Sequence, residues 1–359
     1  MADSLPRSRE LDGDVDADPA VVECDGQWST WDAFVREAEH SSFCHLSGWR
    51  NVIGEVLGHE CIHRVALDPA GNWAGVLPLV RVRSAMFGHY LLSMPFLNYG
   101  GPLGSPSARG RLTADAVRLA ERSRTDLLEL RQRQVPPSPP LEEARRKVTV
   151  VLELPDDAGV LWSDGLKAKV RSQVRRPQKE GMVTRFGPRE REPFYEVFAR
   201  NMRDLGTPVL PARFFEAVSA SFPDEVEYGC VYWKDAPVAA GCGFVWRDEF
   251  EMTWASSLRE HAIMAPNMLL YWSFIGRMVE RRMRRFNFGR CTPDSGTHRF
   301  KLQWGGVDEV LPWGQWSPRD LSETPNPNRP AYQMAARLWS RLPLAIANRL
   351  GPLIARQIP

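Results

Sequence analysis

The chain is 359 residues long, with 43% hydrophobic residues, 25% charged residues and a formal net charge of +2. This is ordinary globular composition, long enough for two cores, and too nearly neutral to bind a polyanion except through local clusters of cations. The six cysteines, at 24, 44, 61, 230, 242 and 291, include no CxxC pair, which argues for reduced, intracellular thiols and against a disulfide framework.

Residues 1–22 read as a disordered leader, acidic and rich in Pro, Ser and Asp, with no signal-peptide h-region. The first domain is expected over 23–155. Helices at 31–39 and 46–57 lead into alternating strands at 61–67 and 73–82, joined by turn residues 68–72. A strand at 90–94, a helix at 108–124 and strands at 126–130 and 147–154 complete it. The second domain, 156–316, repeats this order: helices at 192–205 and 211–222, a hairpin over 226–246, a strand at 250–255, a helix at 266–282 and a strand at 285–288. The recurrence after about 160 residues predicts an α/β (α+β) chain of two tandem domains, each a mixed, mainly antiparallel sheet flanked by helices. Coincidence among short elements is the alternative.

Two stretches carry clustered charge. Residues 166–181 open the second domain as a basic linker helix, with Lys167, Arg171 and Arg175 recurring every four residues on one face. That face is either a solvated connector or a docking surface for phosphates. Residues 317–359 form an amphipathic tail that either packs back on the first domain or lies on a membrane surface through 331–359. No run approaches eighteen apolar residues, so no transmembrane segment is expected. The expected location is the cytoplasm, including the inner face of the membrane.

Familiar catalytic patterns are mostly missing. Residues 59–63 spell H-E-x-x-H, but 61–67 alternate as a strand, which sets the two histidines roughly 13 Å apart, too far for one zinc. There is no P-loop, no G-x-G-x-x-G opening a helix and no G-x-S-x-G elbow, which argues against NTPase, dehydrogenase and α/β-hydrolase chemistry. Gly241-Cys242-Gly243 reads as close backbone packing within a strand. The remaining candidate is 286–304, strand, polar turn and short helix. Acyl transfer to an amine needs a cation or N–H donors at a tetrahedral oxyanion. Lys301, with Arg299 and His298 beside it, could supply the charge, and N–H groups after Gly289 could cradle a donor.

Residues 286–305, FNFGRCTPDSGTHRFKLQWG, resemble the C-terminal signature of FemAB-like proteins of the exosortase/PEP-CTERM-associated type, in the GNAT-like acyltransferase superfamily. Residues 76–79, 93–102, 169–176, 200–208, 267–272, 342–344 and 348–352 share the resemblance, which runs from about residue 43 to the end. It implies two tandem GNAT-like domains. In Fem transferases the donor is an aminoacyl-tRNA, the acceptor is an amine on a peptidoglycan precursor, and a Phe-Lys pair stabilises the transition state. Phe300-Lys301 matches that pair, so the expected catalytic residues are Lys301, Phe300 and Arg299. Residues Asn267, Gly289, Arg290, Asp294, Ser295, Gly296, His298 and Trp304 are expected to shape the donor and acceptor pocket. Asn201, Arg203, Asp204 and Thr207 would face the same groove, and Lys167, Arg171 and Arg175 would hold phosphates. The first-domain phosphate lysine of Fem enzymes has no clear match near Trp49–Ile53, which counts against a peptidoglycan precursor as substrate.

The expectation is therefore an acyl- or aminoacyltransferase that modifies an amine of an envelope or exopolysaccharide precursor, without metal or required cofactor. The donor itself is left open between aminoacyl-tRNA and acyl carrier protein. Acyl-coenzyme A is less expected, because R/Q-x-x-G-x-G/A is only partly met from Gln178, Arg203 and Gln303. The alternatives are a catalytically inert twin-GNAT scaffold for a polyanion or membrane-associated synthase, and a natural-product amide-forming enzyme. Lys301→Met is expected to abolish turnover with little change in melting temperature.

Overall fold

The computed structural model describes residues 20–84, 87–144, 147–319 and 330–358. In chain order the first half holds β1 (Ala20–Glu23), α1 (Trp28–Glu37), β2 (Glu60–Leu67), β3 (Trp73–Ser84), β4 (Gly88–Leu92), β5 (Leu103–Gly104), α2 (Pro106–Arg122), β6 (Leu127–Leu130), β7 (Glu142–Ala144) and β8 (Val148–Glu153). The second holds α3 (Ala158–Val160), α4 (Ala168–Lys179), β9 (Val183–Phe186), α5 (Arg191–Asp204), α6 (Ala212–Ser221), β10 (Val226–Trp233), β11 (Ala236–Trp246), β12 (Glu249–Ser257), α7 (Pro266–Glu280), β13 (Arg285–Cys291), α8 (Gly296–Leu302), β14 (Val307–Val310), β15 (Trp313–Trp316), α9 (Pro330–Trp339) and α10 (Leu344–Ala355).

Local chemistry explains several boundaries. Asp68 closes the β2–β3 turn by accepting from the backbone N–H groups of Ala70 (2.9 Å) and Asn72 (2.8 Å). Ser105 caps α2 by accepting from Ala108 N–H, and Pro106 occupies its first turn, where no N–H is needed. The 59–63 pattern lies on β2 and the residue before it, with His63 buried edge-on to Trp28 and Trp31.

The strands form two mixed sheets of matching design. One runs β1-β2-β3-β4-β6-β15-β7, with β5 beside β3; the other runs β14-β8-β13-β12-β11-β10-β9. In each, an antiparallel meander ends in a parallel pair, β4 with β6 and β12 with β13, bridged by a crossover helix, α2 or α7. The tandem mixed α/β architecture read from the sequence is the architecture found.

Several boundaries differ from expectation. Residues 1–19 of the expected leader lie outside the described residues, but Ala20, Val21 and Val22 pair with β2. Of the helix expected over 46–57, residues 49–57 are helical, with a π-helical stretch at Asn51–Val56, and a separate short turn precedes them at Phe43–His45. The break expected near 155 does not separate the sheets. β8 hydrogen-bonds β13 and β14 in the second sheet, and β15, from the other half, hydrogen-bonds β6 and β7 in the first. Each half thus lends a strand to the other, a long-range pairing that local periodicity does not encode. The tail helices sit mainly against the second half, with Gly351 of α10 on Val209 and Ala336 of α9 on Gly206. Arg203 reaches across to the carbonyl of Leu342 at 2.9 Å. The tail also meets the first half, where Ser84 bonds Gln357 and Arg356 lies by His59. Residues 320–329 of the tail lie outside the described residues.

The seam between the sheets is part aromatic, part ionic. Phe43 stacks on Phe244 at 4.2 Å, and Trp49 packs on Phe222 and Phe244. Alongside, Arg133 grips Glu249 through two nitrogens (2.6 and 2.9 Å) and Glu309 through two more contacts (2.9 and 3.0 Å), over the ring of Tyr99. Arg133→Met would leave those carboxylates largely uncompensated at the seam. It should lower stability by about 3 kcal/mol or more, read as a drop in the urea midpoint, with Arg133→Lys recovering only part because it loses the two-pronged geometry.

Candidate active site

The parallel strands β12 and β13 pair only from Glu249 with Arg285 to Glu251 with Asn287. Beyond that both arms are irregular. Thr253 is an extra residue on β12, where Cys242 faces Trp254 and Gly243 faces Met252, and β13 slips register against β8 between Asn287 and Arg290. A bulge bends and twists its strand, so the sheet opens as a fork. Gly243 is required there, since a Cβ would lie 2.3 Å from the carbonyl oxygen of Glu251.

The first sheet forks at the equivalent point, after Leu92 with Glu129, but its fork is stitched shut. Arg131 donates to the carbonyls of Met94 (3.2 Å) and Leu97 (2.8 Å) and to Glu129 (2.8 Å), and its own N–H donates to Ser93 Oγ. The second fork is the candidate site.

Polar groups from both halves converge on it. Glu251 is 2% exposed. Its Oε1 accepts from Asn98 Nδ2 (2.8 Å) and Thr253 Oγ1 (3.3 Å), while Oε2 accepts no hydrogen bond of good geometry among the described residues. Burial, and then the charge of Glu249, push its carboxyl up to about 7. Asn287 donates to Tyr99 Oη and Glu249, and its Oδ1 accepts from Thr149 Oγ1 and from Gly289 N–H. Lys301 is 4% exposed and donates to the carbonyls of Gly289 (2.6 Å) and Arg290 (3.0 Å), with burial lowering its ammonium to about 8. Arg290 stacks over Trp313 at 4.9 Å, while Arg131 lies 4.7 Å from the same ring. Among the described residues the Arg290 guanidinium makes no hydrogen bond or ion pair. Burial and the nearby Arg131 lower it to about 10. A cavity of about 290 Å³ opens on the seam beside the fork, lined by Ser41, Phe43, Tyr99, Trp246, Glu249 and Glu251 among others. The Ser41 hydroxyl and Trp246 indole N–H in its wall also make no hydrogen bond among the described residues.

Residues singled out in the sequence fall into separate groups. Lys301, Gly289 and Arg290 meet at the fork. His298 is buried one turn away, accepting from Asp294 N–H and pairing with Asp308 at 2.9 Å. Ser295 caps α8 by accepting from His298 N–H, and Arg299 donates to the Asp294 carbonyl. Gly296 is exposed at the start of α8. Phe300 and Trp304 pack with Tyr271 in the second core. Asn267 stands half-buried in the first turn of α7. On α5, Asn201 bonds Ser256 of β12, but Arg203 binds Asp204 and the tail, and Thr207 is exposed. In the basic helix, Arg171 caps the carbonyls of Trp162, Ser163 and Leu166, Arg175 stacks over Trp162, and Lys167 is exposed. The sequence reading missed Glu251, Glu249, Asn287, Asn98, Arg131 and Arg133. The available signal was Glu249-Phe250-Glu251, two carboxylates on one face of a strand.

Residues 165–302 match the acetyltransferase (GNAT) domain family. The matched stretch spans the open fork and Lys301. In fold, the chain is similar to FemX (13% identity, TM-score 0.60), covering 88% of this chain and 100% of that one. It is similar to L-PGS from Bacillus licheniformis (12%, TM-score 0.53, covering 89% and 98%). It is also similar to a tandem GNAT protein from the clavulanic acid biosynthesis pathway (13%, TM-score 0.51, covering 84% and 100%). At these identities the likeness is one of fold. No curated protein matches the sequence.

Because the carboxyl of Glu251 is raised in the folded state, it adds stability that is fully present below about pH 4.5 and lost as pH rises through about 7. Glu251→Gln removes that dependence. Relative to the parent, the variant should gain stability between pH 5 and pH 8, by up to roughly 3 kcal/mol, seen as a growing difference in melting temperature.

Proposed function

We propose that the protein is an N-acyltransferase that moves an acyl or aminoacyl group to an amine of an envelope or exopolysaccharide precursor. The observation that carries this reading is Glu251: a buried carboxylate with one oxygen that accepts no hydrogen bond of good geometry among the described residues, at the open fork of the stretch matching the GNAT family and in the wall of a cavity. Its pKa suits a base at neutral pH. In the proposed step, Glu251 takes one proton from the acceptor ammonium, directly or through one water. The amine nitrogen then attacks the donor carbonyl carbon; the C–N bond forms, and the C–O or C–S bond to the carrier breaks. The second nitrogen proton passes to the leaving oxygen or sulfur.

Arg290, whose guanidinium makes no hydrogen bond or ion pair among the described residues, would meet the carrier phosphate or the developing oxyanion. Lys301 would add positive charge from behind the Gly289–Arg290 backbone and hold that arm in place. Phe300 backs it through Tyr271. The donor classes in this reading are aminoacyl-tRNA, acyl carrier protein and acyl-coenzyme A. It also includes peripheral membrane contact through residues 331–359, at the cytoplasmic face. The envelope or exopolysaccharide context rests on the sequence resemblance alone.

Lys301→Met is a poor discriminator, because losing the ammonium orphans two buried carbonyls and should lower the melting temperature as well as activity. Glu251→Gln keeps the shape. Purified protein offered each donor class with amine acceptors, and followed by mass spectrometry, should show transfer whose rate rises with pH to a plateau above about 7. The variant should lose about 10²- to 10⁴-fold and lose that pH limb. Unchanged turnover in Glu251→Gln would remove Glu251 as base; no transfer from any donor would favour the inert scaffold.

A further inference from the structure

The two tail helices are amphipathic in the reverse of the usual sense. Where α10 meets the protein its residues are small: Ala347, Gly351 and Ala355 are buried, and a Cβ on Gly351 would sit 3.0 Å from the Val209 nitrogen. Its large apolar side chains, Ile346, Leu350 and Leu353, fall at i, i+4 and i+7 and point to solvent. Met334 and Leu338 do the same on α9, and the five are 42–63% exposed. A helix kept only for packing would bury its leucines and expose its alanines.

The charge around this face is one-sided. Residues 331–359 contain four arginines, at 337, 341, 349 and 356, and no Asp or Glu. Among the described residues, none of these guanidiniums makes an ion pair. Exposed leucines beside unpaired arginines match the boundary of a bilayer, where acyl chains take the apolar groups and anionic headgroups take the cations. A protein partner would need a matching acidic, apolar groove, whereas an anionic lipid surface supplies both features at once. No helix among the described residues is long and apolar enough to cross a membrane, so the contact would be peripheral.

We propose that α9 and α10 form a docking surface for anionic phospholipid, laid flat on the headgroup boundary with Leu338, Ile346, Leu350 and Leu353 inserted and the arginines on lipid phosphates. This deepens the membrane contact included in the transferase reading but does not depend on the transfer chemistry. The surface is linked to the strand that carries the open fork. α10 packs on α5, and α5 holds β12 through Asn201 and Ser256 at 3.1 Å. Docking would therefore bring the fork near the bilayer, where a lipid-borne acceptor is presented.

The test needs no turnover, so its failure is separable from failure of the catalytic reading. The full chain is floated with vesicles of phosphatidylcholine, with and without about one-third phosphatidylglycerol. Binding should be at least tenfold tighter to the anionic vesicles and should weaken with salt. Leu350→Ser with Leu353→Ser, and separately Arg337→Glu with Arg341→Glu, should each reduce binding about tenfold or more at unchanged melting temperature, since these side chains point outward. Absence of binding, or binding indifferent to both pairs, would overturn the proposal. So would a dimer of the parent protein that the leucine pair dissolves, since the face would then belong to a second copy.

Discussion

Two strands tie the molecule together by crossing over. β8 completes the second sheet from the first half, and β15 completes the first sheet from the second half. Neither sheet can finish its ladder while the other half is unfolded, because each would expose an edge of unpaired backbone beside its parallel pair. The seam follows from this exchange. It brings Phe43 onto Phe244 and Arg133 onto Glu249 and Glu309, and it sets Trp313 of β15 over the guanidinium of Arg290.

That exchange also separates the two forks in character. Duplication supplies each sheet with a parallel pair that diverges after three residue pairs. In the first, Arg131 and Ser93 satisfy the diverging backbone, and the loop through Tyr99 turns toward the seam. In the second, the corresponding space receives Asn98 and Tyr99 from outside, and one oxygen of Glu251 accepts no hydrogen bond of good geometry among the described residues. A buried carboxylate without a full set of donors is costly. Its raised pKa is the physical sign of that cost, and it is also what suits the group to proton transfer near neutral pH. Fold stability and chemistry meet on the same atom.

Lys301 shows how a site residue can be found correctly and its surroundings misread. The sequence places it on a short helix after the β13 strand, near a cation-rich turn. The folded chain commits two of its N–H donors to β13 carbonyls, so any effect on the reaction comes with a structural one. The basic face of α4 follows the same pattern, with Arg171 and Arg175 turned to the short helical segment holding Trp162.

Much of the architecture was legible in the sequence. Alternating runs, turn residues and the repeated element order are local signals, and they marked the two meanders, both crossover helices and the strand-turn-helix ending at Trp304. The glycines at 241 and 243 were read correctly as close packing, because a strand interior has little other use for them. What the sequence could not convey was which strand pairs with which across long separations. Hydrogen-bond partners of β8 and β15 depend on the sheet edges available in three dimensions, not on their own residues. For the same reason Glu251 was invisible as a site. A carboxylate on a strand gains meaning only when tertiary packing takes away its water, leaves one oxygen without a well-aligned donor and opens the sheet beside it.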